Sequence, residues 1–260
     1  MAHMHMRASL LSIAPDAYRH LLLLVPDEPW ALFARAVLLA GQPGVYADNP
    51  LQPTAVAIDT ATPDGRAVFL FGDPDHVVIE AYVRALVGPV RVGGAQPIAR
   101  QISAWREDAI PQRTVSFTFP PSDAGTAFPV LPPGGVRRLR PADARHLASF
   151  PPWLWETYDA PGALLRDGIA YARYLRAELV SLACTVATTE RYDAIVAYTI
   201  ERTRRNGFAR ECAHRLIGAI LNERGRQPVL MADAENEAAA GLAHSLGLTE
   251  RRERTMYDIA

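Results

Sequence analysis

The chain has 260 residues, 49% of them hydrophobic and 21% charged, with a formal net charge of −1. That apolar share supplies real cores and excludes a disordered chain, and the near-zero charge excludes a general polyanion binder. The length suits two smaller domains better than one core. All 27 basic residues are arginine, so any phosphate or carboxylate gripped by a cationic side chain is gripped by guanidinium, which can bind bidentately. Residues 1–135 hold 9 Arg against 12 acidic residues, and residues 136–260 hold 18 against 16. The mild basic excess of the second half suits an anionic ligand there. Cys184 and Cys212 have neither metal-ligand spacing nor the numbers for a disulfide framework, so no metal is expected. The apolar run Leu21 to Val25 is too short to span a bilayer. Met1 to Met6 lacks a cationic segment followed by a long apolar one. These features predict a cytoplasmic protein with no membrane or nucleic-acid partner.

In chain order, Asp16–Leu24 and Trp30–Ala40 read as helices, the second with apolar residues at Leu32, Phe33, Ala36 and Leu39. Pro53–Asp59 and Ala67–Phe71 read as strands around the turn Thr62-Pro63-Asp64-Gly65. Helices over His76–Val87 and Ile98–Asp108 and a strand over Arg113–Phe119 complete an α/β domain over 1–120. Dense Pro and Gly between 121 and 135 break both helix and strand and predict a linker. The second domain, 136–260, begins with a strand at Val136–Arg140 and a helix to Phe150. An aromatic patch follows at Trp153, Trp155 and Tyr158, then a short helix over Ala163–Arg166. Three successive strands are predicted at Ile169–Leu175, Leu179–Thr188 and Ala194–Ile200. A helix over Gly207–Arg224, a strand over Val229–Ala232, a helix over Glu235–Leu246 and a strand over Thr249–Tyr257 end the chain. This is an α+β order with a mixed, mostly antiparallel sheet flanked by helices. No internal repeat is legible.

The strand Ala194–Ile200 runs into Arg204-Arg205-Asn206-Gly207-Phe208-Ala209, and a helix follows at once. The first turn of a helix has unpaired N–H groups and a positive dipole end, so a pyrophosphate placed there is bound without needing a side chain. Gly207 lets backbone approach the phosphates, and Ala209 keeps the next position small. Phe208, Cys212, Leu216 and Ile220 recur every fourth residue with Ala213 and Ile217 alongside, giving the helix one buried face. The same six residues alone also fit an ordinary strand–loop–helix crossover.

The loop, its place between strand and helix, Thr199 five residues before Arg204, Asn236 opening the last helix and Gly247-Leu248 closing it together resemble a GCN5-related N-acetyltransferase (GNAT) domain over about Val136–Ala260. Val45 to Pro53 and Gly72-Asp73 are similar to the first domain of two-domain members of the zwittermicin-resistance type. The resemblance implies transfer of acetyl from acetyl-coenzyme A to the amine of a small molecule. It places Ala197, Tyr198 and Thr199 along the pantetheine. It places Arg204, Arg205, Asn206, Gly207, Phe208, Ala209 and Arg210 at the pyrophosphate, with Asn236 at the cofactor or serving as a helix cap. Asp193 falls at the offset of the base of histone-acetylating members, or is a turn residue. Trp153, Trp155, Glu156 and Tyr158 border the acceptor cleft, or pack in the core. The tyrosine acid common in the family is replaced by Ala243, with His244 turned about 100° away, which leaves open a degenerate member that binds acyl-CoA without transfer. The first domain is expected to cap the cleft, to pair two copies as a homodimer, or to be a decayed copy of the second.

Overall fold

A computed structural model of the chain describes residues 10–73, 75–120, 128 and 135–260. The predicted linker lies almost wholly outside the described residues.

The first half contributes strands β1 (Leu11–Ser12), β2 (Val45–Ala47), β3 (Ala55–Thr62), β4 (Gly65–Gly72), β5 (Val90–Gly94) and β6 (Ile110–Thr118). Its helices are α1 (Tyr18–Leu21), α2 (Leu32–Ala40), α3 (Val77–Ala85) and α4 (Gln96–Trp105). The second half adds β7 (Val136–Arg138), β8 (Ala170–Leu175), β9 (Glu178–Thr188), β10 (Tyr192–Thr199), β11 (Gln227–Asp233) and β12 (Glu250–Ile259). Its helices are α5 (Pro161–Asp167), α6 (Phe208–Ala219) and α7 (Glu237–Ser245). Residues Pro141–Ser149, expected as a helix, form a 3₁₀ segment.

All twelve strands join one mixed sheet, in the order β1-β2-β3-β4-β5-β12-β6-β11-β10-β9-β8-β7. The centre of that order shows an exchange. In each half a parallel strand pair, β4 with β5 and β10 with β11, is followed by a helix and a last strand. The last strand of the first half, β6, pairs with β11 of the second. The last strand of the second half, β12, pairs with β5 of the first. The two exchanged strands pair with each other from Glu250↔Thr118 to Asp258↔Ile110. The halves are thus a structural repeat that the sequence does not reveal. A cut after residue 120 leaves β6 in one piece and all its hydrogen-bonding partners in the other.

Strand alternation sends neighbouring residues to opposite faces. One face carries a core that both halves build, with Phe33, Val37 and Phe69 beside Leu154, Trp155, Leu164 and Val186. The opposite face is covered by α3 and α4 over the first half and by α6 and α7 over the second. Helix α6 buries Cys212, Ala213, Leu216 and Ile217 as its periodicity predicts, then passes into a π turn that Gly225 stops at φ +63°. Burial pushes the Cys212 thiol up to about 12 and moves the Cys184 thiol in the same direction. A thiol reagent at about pH 8 is therefore expected to label neither cysteine in the native protein and both after unfolding.

Candidate active site

Strands β10 and β11 pair in parallel only from Tyr192↔Gln227 to Ile195↔Leu230. A register shift between Ala194 and Ile195 marks a bulge against β9, and bulges bend the strand that carries them. Beyond it the two strands part. Val196–Thr199 keep β9 on one side, and among the described residues no strand pairs with them on the other. The Ile200 N–H bonds the Val180 carbonyl of β9 at 3.0 Å. Alternation from there turns the N–H groups of Ala197 and Thr199 toward the open edge. The Thr199 hydroxyl is spent inside the sheet, 2.8 Å from Ser181 Oγ.

The chain leaves β10 through a 3₁₀ turn, Glu201–Thr203, and enters the arginine loop. Arg204 Nε donates back to the Thr199 carbonyl at 3.2 Å. Asn206 Nδ2 donates to the carbonyls of Thr203 and Arg204 at 3.2 and 3.1 Å, so this side chain holds the turn closed. Arg205 and Gly207 both take left-handed backbone, at φ +63° and +76°. For arginine that conformation is strained, and such strain concentrates at binding loops. A Cβ on Gly207 would meet no atom within 4 Å, so the glycine serves the backbone angle and leaves open space before the first N–H groups of α6. Among the described residues, no acidic side chain forms an ion pair with Arg204, Arg205 or Arg210. Nearby, burial and then Arg210 and Arg215 hold His214 below its usual range.

The open edge and the loop face a single cavity of about 750 Å³. It is lined by Ala194–Thr199, Arg204, Arg205, Gly207–Arg210, Leu230–Asp233 and Asn236 from the second half. Phe33, Thr62, Asp64, Phe69, Arg91 and Thr114 line it from the first half, and Met256 from the exchanged strand β12. Asn236 caps α7, its Oδ1 accepting from the Ala239 N–H at 3.0 Å, while also facing the cavity.

Of the residues expected at the acceptor cleft, only Trp153 lines the cavity, set edge-on to Tyr198 with ring centroids 6.1 Å apart. Trp155 is packed in the core, Glu156 is exposed, and Tyr158 is turned inward to Thr185 Oγ1 at 3.2 Å. Asp193 is also placed away from the cavity. Its carboxylate is fully buried, accepts from Thr188 Oγ1 at 2.6 Å and faces Arg224 at 3.3 Å and Arg226 at 3.7 Å. It holds the end of α6 to the start of β10. Asp193→Asn is expected to cost about 3 kcal/mol of stability, because two guanidiniums lose their counter-charge. The pH profile of any acyl transfer is expected to keep its shape. Chemical denaturation and a pH–rate series check both. Ala243 is fully buried between α7 and the sheet, and His244 stands edge-on to Phe117 at 5.8 Å, outside the cavity.

Residues 148–257 match the family model described as GNAT acetyltransferase. A search of curated proteins gives no match. Among solved structures, a GCN5-related N-acetyltransferase-like protein from Streptococcus suis 89/1591 is similar at 21% identity and a TM-score of 0.64, over 94% of this chain and 98% of that one. A GCN5-related N-acetyltransferase from Sphaerobacter thermophilus aligns at 12% identity and TM-score 0.57, over 96% and 94%. A tandem GNAT protein from the clavulanic acid biosynthesis pathway aligns at 11% and 0.59, over 96% and 97%. Residues 148–257 are thus similar to GNAT acetyltransferase domains, and the two-domain fold of the whole chain recurs in these structures.

Proposed function

We propose that the protein is an acetyl-CoA-dependent N-acetyltransferase acting on the amine of a small molecule. The observation that carries this reading is the parting of β10 from β11 directly above the arginine loop, inside one cavity. The residues fit coenzyme A. Left-handed Gly207 leaves open space, the first turn of α6 offers N–H groups, and Arg204, Arg205 and Arg210 supply charge for a diphosphate. The open edge of Val196–Thr199 suits an amide-bearing arm laid alongside as an added strand. Acetyl-CoA, when bound, supplies an activated thioester. The Ala197 N–H, turned to that edge, is placed to donate to a carbonyl oxygen that gains charge. The apolar walls exclude water from it.

A second reading, acyl-CoA binding without transfer, draws on Ala243, which puts a buried methyl where many relatives carry a tyrosine hydroxyl. Thiol release from acetyl-CoA across a panel of primary amines separates the two. Amine-dependent release supports transfer, and tight acetyl-CoA binding with no release by any amine supports the second reading.

A further inference from the structure

The cavity lining carries two oppositely charged groups. Near α6 it is lined by Arg204, Arg205 and Arg210, which have no acidic ion-pair partner among the described residues. The second group is built around Arg91, which lies on β5 of the first half. Arg91 Nη1 meets Asp233 Oδ1 at 2.8 Å and Asp64 Oδ2 at 3.6 Å, and its Nε meets Asp258 Oδ1 at 2.9 Å. Three carboxylates share one guanidinium, so this group carries a surplus of negative charge. Arg91 is largely buried, whereas Asp64 and Asp233 keep 54% and 48% of their side-chain surface open. A carboxylate offers about four lone-pair sites, so each retains acceptor capacity toward the cavity it lines.

The position of Asp233 follows from strand register. Ile195 is level with Leu230, so Asp233 falls level with Tyr198, on the stretch where β10 is open. Met231 packs on the same face of the sheet as Val196 and Tyr198, and alternation puts Asp233 there too. The same cavity is also lined by the apolar side chains of Phe33, Phe69, Trp153, Val186, Met231 and Met256. Asp64 comes from the β3–β4 turn of the first half and Asp233 from the second. Because both meet the same Arg91 nitrogen, the first half sets the spacing of the pair.

The geometry points to an acceptor that is a cationic amine on an apolar body, its positive group seated between Asp64 and Asp233 with Arg91 as the residue that positions them. This rests on the acetyltransferase reading for the role of the cavity. A ligand cation is drawn to this group and repelled from the arginine loop, which sorts acceptor from cofactor. Arg91 Nη1 and Nε are engaged by carboxylates, so an anionic acceptor meets three negative charges against one positive here.

The test uses the full chain and three probes of nearly equal shape: tryptamine (cation), tryptophol (neutral) and indole-3-acetate (anion). Calorimetric titration of each is run on the wild type, on Asp64→Asn and on the Asp64→Asn/Asp233→Asn double variant, with acetyl-CoA titrated separately into all three. Tryptamine is expected to bind the wild type at least about tenfold more tightly than tryptophol, with indole-3-acetate weakest. The preference is expected to shrink in the single variant and vanish in the double variant. Equal binding of the probes by the wild type, no measurable binding of any, preference for the anion, or an unchanged preference in both variants overturns the proposal. Acetyl-CoA binding reports whether each variant is folded. The single variant alters only an exposed turn, so it decides the matter if the double variant does not fold. Failure of the wild type to bind acetyl-CoA counts against the acetyltransferase reading instead, and leaves the amine preference to be judged by itself.

Discussion

Expressed alone, residues 1–120 and residues 136–260 are each expected to be insoluble or unfolded, and the two fragments made together are expected to copurify. The reason is the exchange at the centre of the sheet. Without the first half, β11 loses β6 and β12 loses both neighbours. Without the second half, β5 loses β12 and β6 loses both neighbours. The exchanged strands also carry core side chains across. Ile259 of β12 is buried among Ile79, Val92 and Ile98 of the first half. Val115 and Phe117 of β6 are buried among Leu216, Ile217 and Leu230 of the second. A domain is stable by only about 5–15 kcal/mol, and each lost buried Ile or Phe costs about 2–5 kcal/mol. Ending the chain at Leu248, which removes β12 alone, is expected to fail in the same way. Soluble expression and the cooperativity of thermal melting check this. A 136–260 fragment that melts cooperatively by itself would contradict the exchanged arrangement.

Gly207→Glu is expected to weaken acetyl-CoA binding by at least about a hundredfold, near 3 kcal/mol, while moving the melting temperature by only a few degrees. Two effects on stability oppose each other. A non-glycine residue at φ +76° costs about 1–2 kcal/mol. A carboxylate at a helix N-terminus returns about 0.3–1 kcal/mol. No neighbouring atom is struck, because the space before Gly207 is open. Binding has no such offset. The new carboxylate stands where a diphosphate would meet the N–H groups of α6, and it pairs with Arg204 or Arg210. Gly207→Ala carries the backbone cost without the charge, and is expected to lose far less affinity. Fluorescence thermal shift with and without acetyl-CoA separates the two quantities.

Much of the second half was legible in the sequence because its signals are local. The four-residue spacing from Phe208 to Ile220 describes a helix buried on one side, and the arginine loop sits between a strand and that helix as read. The first half was harder. Strand β5, Val90-Arg91-Val92-Gly93-Gly94, is not among the predicted elements; it follows Gly88-Pro89 and ends in two glycines. The structure supplies their reason: a Cβ on Gly94 would lie 2.7 Å from the Leu70 carbonyl oxygen, and one on Gly93 would lie 3.0 Å from Met256. Both contacts are long-range and leave no periodic trace. The exchange of β6 and β12 is invisible for the same reason, since each strand has an ordinary alternating pattern whichever half it joins.

The site residues divide along the same line. The loop's place between β10 and α6 was readable because its signals lie within six residues. The direction of the Asp193 side chain was not, because Arg224 and Arg226 approach it from the far end of α6 around Gly225. Spacing to Arg204 carries no information about that approach. Asp64, Arg91 and Asp233 were missed because the sheet, not the chain, brings them together. The turn Thr62-Pro63-Asp64-Gly65 reads as a turn in the sequence and is one in the structure, but nothing local shows that it lines a cavity formed mainly by the other half.

The loop between β4 and α3 stands where the arginine loop stands in the second half, yet it carries Asp73, Asp75 and His76 in place of three arginines. Like charge there repels a diphosphate. Calorimetric titration with acetyl-CoA therefore tests the central claim most directly. The expected result is one molecule bound per chain, with binding lost in Gly207→Glu and retained in Asp193→Asn. No binding by the wild type, two molecules per chain, or unchanged binding in Gly207→Glu would contradict a single coenzyme A site at Arg204–Arg210.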